Sequence, residues 1–115
     1  LAFKPHTDDL RDSPSLDIAG RLIGRGARVR AHDPVALERA RREFPHSEIA
    51  FCDSVEAAVH QADAIVLVTE WPEYRNLNWE ALRRIMAGPL LIDGRNFLAA
   101  DELARAGFRY LGMGR

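Results

Sequence analysis

Three cationic side chains in this chain of 115 residues stand where an anion could be met. Lys4 and Arg11 sit on either side of a charge-dense loop, 4–12, immediately ahead of a helix start signalled by Ser13-Pro14. The outward-pointing N–H groups at a helix start favour negative charge, and an ammonium and a guanidinium beside them suit a phosphate. Asp8, Asp9 and Asp12 share the loop, so a local salt-bridge cluster is the competing reading, and the acids can also orient the bases. Arg95 lies in Asp93-Gly94-Arg95-Asn96. A guanidinium beside a glycine that clears space suits a pyrophosphate, and on the sequence alone structural pairing is an equal reading.

Other chemistries find little support. The 4–12 loop contains no G-x-G-x-x-G, so the glycines that let a backbone approach a dinucleotide pyrophosphate are missing. Gly24-Arg25-Gly26 follows a helix instead of a strand and reads as a turn. Asp33 stands where the ribose-binding acid of a dinucleotide site would be, but without the glycine loop its better reading is a helix cap. His6, His32, His46 and His60 are scattered with no metal-binding spacing, so no metal is expected. Cys52, the only cysteine, cannot form an internal disulfide and reads as a small buried hydrophobe, which fits a reducing compartment; the cytoplasm is the expected location. Trp71, followed by Pro72, either packs on a partner domain or a base or plugs the end of a sheet. Trp79 is expected to pack its helix onto the sheet.

The elements that must position these residues follow from periodicity. Leu16, Ile18, Ala19, Leu22 and Ile23 recur at helical spacing over 13–26, with Pro14 suited to the first turn and Gly24 or Gly26 to the stop. Residues 27–32 alternate as a strand, Asp33-Pro34 opens a charged helix over 35–44, and 49–52 form a short strand. Asp53 or Ser54 caps a helix running to about Gln61. The run 64–68 is continuously apolar, which predicts a strand covered on both faces. Asn78 caps a helix carrying Leu82, Ile85 and Met86 and stopped by Gly88-Pro89; strand 90–92, helix 100–106 and strand 108–111 complete the chain. Alternating strands and helices predict a Rossmann-like three-layer α/β/α sandwich built on a mostly parallel, doubly wound sheet. Leu1, Ala2 and Phe3 are expected to be the tail of a truncated first strand, so the chain reads as one domain, 1–115, of something larger. Ligands of such sheets bind beyond the carboxyl ends of the strands, here the loops after Phe3, His32, Val68 and Ile92.

Hydrophobic residues make up 47% and charged residues 29% of the chain, an ordinary composition for a packed domain. A formal charge of −1 leaves no basic excess for a nucleic acid, and no nucleic-acid partner is expected. The longest apolar run is far shorter than the roughly 20 residues of a bilayer span, so no membrane partner is expected.

Three motifs, F-K-P-x-T-D-D-x-R-x-S-P at the start, T-E-W at 69–71 and D-G-R-N at 93–96, resemble in order and spacing the UDP-binding domain of the UDP-glucose/GDP-mannose dehydrogenase family. The resemblance covers essentially the whole chain. It implies an NAD-dependent enzyme that oxidises the C6 alcohol of a nucleotide sugar to the acid, UDP-glucose to UDP-glucuronate, through a cysteine thiohemiacetal. The same domain of a GDP-mannose or UDP-N-acetylhexosamine dehydrogenase is an alternative, and a stand-alone nucleotide-binding or oligomerisation module is another. The resemblance assigns Phe3 and Lys4 to the nucleotide sugar, Arg95 to the UDP of a neighbouring subunit in a homo-oligomer, and Arg11 to NAD. It places no catalytic residue in this chain: the nucleophilic cysteine belongs to a motif ahead of this domain, Cys52 does not match it, and NAD is held mainly outside this chain. The expected partners are the UDP-sugar substrate and amino-terminal and central domains that the chain lacks.

Overall fold

The computed structural model describes residues 14–44 and 48–113. Phe3, Lys4, Arg11, the Ser13 cap and the expected truncated first strand lie outside the described residues. The chain divides into two compact units, Leu1–Ala58 and Val59–Arg115.

In the first unit, helix α1 (Pro14–Gly24) precedes strand β1 (Arg30–Ala31), helix α2 (Leu37–Glu43) and strand β2 (Ala50–Phe51). At the end of α1, Gly26 adopts φ 93°. Its N–H donates to Ile23 O at 2.9 Å while Ala27 N donates to Leu22 O at 3.0 Å, the paired closure that a left-handed residue permits. Strands β1 and β2 are parallel, with Ala31 opposite Phe51. Ala36, Leu37 and Ala40 form the core here, with Leu16, Ala31 and Phe51 packed against them. Asp33 is buried, and its Oδ1 accepts from Val35 N at 2.9 Å and Ala36 N at 2.8 Å. It therefore caps the turn that leads into α2, and the helix starts at Leu37, not Val35. Cys52 is half-buried, a correction to its expected burial, and its Sγ donates to Ala50 O at 3.6 Å.

Helix α3 (Val55–Val59) begins at Ser54, whose Oγ accepts from Ala57 N at 3.0 Å. The second unit continues with β3 (Ala64–Leu67), a 3₁₀ turn (Pro72–Asn76), α4 (Trp79–Ile85), β4 (Leu90–Asp93), α5 (Ala100–Arg105) and β5 (Arg109–Gly112). Asn78 caps α4 as expected, its Oδ1 accepting from Ala81 N at 3.1 Å. The 3₁₀ turn was not signalled by any periodicity. The sheet order is β3-β4-β5, all parallel, with Leu67 opposite Asp93 and Asp93 opposite Gly112. All strand pairs in both units are parallel and joined through helices, an α/β architecture of Rossmann type.

Within the second unit the two faces of the sheet differ. Leu67, Leu91 and Asp93 are buried, whereas Val66 and Leu111, in register through Ile92 on the opposite face, are 37% and 43% exposed. Within this unit, successive crossovers that advance in one direction place α4 and α5 on one face of the sheet. Trp79 and Leu82 of α4, Leu103 of α5 and Phe108 are buried, and the Trp79 and Phe108 rings meet edge to face at 5.9 Å.

Candidate functional site

The loops that follow β3 and β4 lie at the carboxyl end of adjacent parallel strands, and one glycine lets them meet. Gly94 N donates to Leu67 O at 2.9 Å. A Cβ at Gly94 would stand 3.1 Å from that carbonyl, so a larger residue would push the β4 loop away from the end of β3. Thr69 and Trp71 are buried on either side of Glu70, which leaves Glu70 projecting. Its Oε1 lies 3.4 Å from Arg95 Nη2, and the two side chains are 39% and 30% exposed. The structure thus brings together two of the three motifs, T-E-W and D-G-R-N, through Glu70 and Arg95. The burial of Trp71 agrees with the sheet-end plug.

Asp93 organises the loop that carries Arg95. Its carboxylate is fully buried. Oδ1 accepts from Arg95 N at 3.0 Å; Oδ2 accepts from Phe97 N at 2.7 Å, Leu98 N at 2.8 Å and the Tyr110 hydroxyl at 2.7 Å. Burial works to raise the carboxyl pKa, but the Leu98 N–H, the Tyr110 hydroxyl and the Arg95 and Phe97 N–H groups together outweigh it and hold the group below the ordinary carboxylate range. Asn96 N closes the turn on Asp93 O at 3.5 Å. Asn96 itself is left-handed at φ 52°, a conformation asparagine tolerates, and its Nδ2 donates to Met113 O at 2.7 Å.

One chemical consequence follows. Each backbone N–H from Gly94 to Leu98 already has an acceptor inside the fold. This loop is not a backbone nest for an anion; whatever it offers an anion comes through the Arg95 side chain. Behind it, Arg75 Nε donates to Phe97 O at 3.2 Å and the guanidinium lies 3.9 Å over the Phe97 ring. Arg75, Trp79, Phe97 and Glu102 line an open cavity of about 330 Å³. Sequence reading singled out Arg95 but not Glu70, Arg75, Asp93 or Tyr110 as its supports. An acid at a strand end followed by Gly was the available signal for Asp93; Tyr110 gave none. Among the described residues there is no group of three or more His, Cys, Asp and Glu side chains placed for a metal, and no helix long and apolar enough to cross a membrane.

Residues 1–100 match the family model described as the UDP-glucose/GDP-mannose dehydrogenase family, UDP binding domain. The chain belongs to that family. A UDP-glucose 6-dehydrogenase of Pseudomonas aeruginosa is 48% identical over 119 residues, covering 100% of this chain and 26% of that protein. Among solved structures, an NDP-N-acetyl-D-galactosaminuronic acid dehydrogenase from Methanosarcina mazei is 34% identical with a TM-score of 0.82, covering 98% of this chain and 23% of that one. A UDP-D-ManNAc dehydrogenase from Pyrococcus horikoshii is likewise 34% identical, with a TM-score of 0.78 over 100% of this chain and 24% of that one. The chain thus spans about a quarter of the length of each of these dehydrogenases. The segments T-E-W and D-G-R-N, joined by the Glu70–Arg95 ion pair, both lie within the matched residues.

Proposed function

We propose that residues 1–115 are the UDP-binding domain of an NAD-dependent UDP-glucose 6-dehydrogenase that oxidises UDP-glucose to UDP-glucuronate on other parts of the enzyme. The observation that carries the proposal is the position of Arg95: a half-buried guanidinium at the carboxyl edge of β3 and β4, on a loop whose own N–H groups are all engaged. A side chain so placed is suited to a diphosphate. Binding energy from that nonreacting part of the substrate then positions the sugar alcohol for chemistry elsewhere.

On the family resemblance, Phe3 and Lys4 belong to the same nucleotide-sugar site, Arg95 serves the UDP of a neighbouring subunit in a homo-oligomer, and Arg11 serves NAD. On the same resemblance, the main NAD site and the nucleophilic cysteine lie in other domains. Cytoplasmic location accords with a chain carrying a single thiol. The names of two of the solved relatives specify N-acetylated sugars and support a second reading in which the sugar is a UDP-N-acetylhexosamine.

Arg95→Ala in the complete enzyme tests the assignment by calorimetric titration with UDP. Loss of a charge-assisted contact worth about 1.5–3 kcal/mol raises the Kd roughly tenfold or more. An unchanged Kd refutes the role of Arg95. Parallel titrations with UDP-glucose and UDP-N-acetylmannosamine decide between the two sugars.

A further inference from the structure

Glu70 is the carboxylate that meets Arg95, and the way it does so has a meaning for binding. The contact is a single pairing of Oε1 with Nη2 at 3.4 Å. It is not the parallel two-bond fork that makes arginine–carboxylate pairs strong. With the partners 39% and 30% exposed, solvent screens the pair, and exposed pairs of this kind contribute little to stability. By contrast, the backbone of Arg95 is fixed independently of Glu70, through Asp93 Oδ1 and through Gly94 on Leu67 O. The position of the arginine on its loop therefore does not depend on Glu70, which meets the guanidinium at its Nη2 end.

We propose that Glu70 is the resident counter-ion of Arg95, occupying the guanidinium in the unliganded protein and giving it up when the diphosphate of a nucleotide sugar arrives. The inference rests on the reading of Arg95 as a diphosphate ligand. A diphosphate carries more charge than a carboxylate and presents several oxygens to the guanidinium fork, so it wins the exchange. Each binding event therefore has to break the Glu70–Arg95 pair, and Glu70 acts on the nucleotide through this competition for the guanidinium alone. Its effect is to weaken nucleotide binding and to favour release of a nucleotide product. Buried Thr69 and Trp71 on either side hold the segment in place, so the pair re-forms when the nucleotide leaves.

The test is calorimetric titration of the complete enzyme with UDP in four forms: wild type, Glu70→Gln, Arg95→Ala and the double variant. Glutamine keeps the shape of Glu70 and removes its charge. The expected result is a Kd about two- to fivefold lower for Glu70→Gln, matching the range of exposed ion-pair energies, and a double variant indistinguishable from Arg95→Ala alone. Equal or weaker UDP binding by Glu70→Gln, in an enzyme where Arg95→Ala does weaken binding, overturns the counter-ion role. A Glu70→Gln gain that survives in the double variant overturns it as well, because the carboxylate would then act on the ligand without Arg95. If Arg95→Ala leaves UDP binding unchanged, the assignment of Arg95 itself has failed, and this inference falls with it.

Discussion

Four donors converge on Asp93: three backbone N–H groups and the Tyr110 hydroxyl. Such convergence is what allows a carboxylate to stay ionised without contact with water. Asp93→Asn would turn an amide NH₂ toward groups that are themselves donors, leaving at least one buried N–H without an acceptor, at a cost of about 2–3 kcal/mol. The pH dependence has a definite sign. Because the folded carboxyl lies below its ordinary range, its contribution is complete above the unfolded pKa and is lost as pH falls through the folded one, that is, below about pH 4. Urea midpoints of wild type and Asp93→Asn should therefore differ widely at pH 7 and draw together as pH falls below about 4; a gap that stays constant as pH falls would show that Asp93 does not titrate as described. The D-G-R-N motif made Arg95 legible in the sequence. What keeps Arg95 in place was not legible, because Tyr110 lies 17 residues further on and only the β4–β5 register puts the two together.

Elements were read correctly in order, with ends that moved by one to a few residues. The starts fixed by side-chain caps were the most accurate: Asn78 and Ser54 accept N–H bonds three residues on, at Ala81 and Ala57. The start of α2 was misplaced because Asp33 caps a turn first, and turn and helix share the same opening chemistry. Two glycines show how different constraints look alike in sequence. Gly26 has φ 93° and open space around a Cβ, so Gly26→Ala costs only backbone strain, about 1 kcal/mol. Gly88 needs no unusual dihedral, but a Cβ there would sit 2.5 Å from Asp63 O. The α4–β4 connection is closed on that segment, since Ala87 N and Gly88 N both donate to Ala62 O. Gly88→Ala must therefore displace backbone and should cost about 2–3 kcal/mol. Urea midpoints for the two variants give the comparison; equal shifts would contradict the close approach at Gly88.

At the scale of the whole molecule, a continuous apolar run such as 64–68 is ambiguous about what covers it. In a parallel sheet such a run is expected to meet helices on both faces. Within the second unit β3, β4 and β5 follow one another in a single direction across the sheet, an order that the apolar run does not encode and that places α4 and α5 together on one face. The asymmetry has a measurable consequence. Leu91 is fully buried in the middle strand, and Leu91→Ala removes its contacts while leaving a cavity, at a cost of about 3 kcal/mol. Val66, one strand away on the other face, is 37% exposed, so Val66→Ala forfeits only part of its burial and should cost less than about 1 kcal/mol. Two strands of equally apolar sequence should thus differ severalfold in sensitivity to truncation, as read from urea midpoints. Equal losses at Val66 and Leu91 would mean that Val66 is packed as tightly as Leu91, against their difference in exposure.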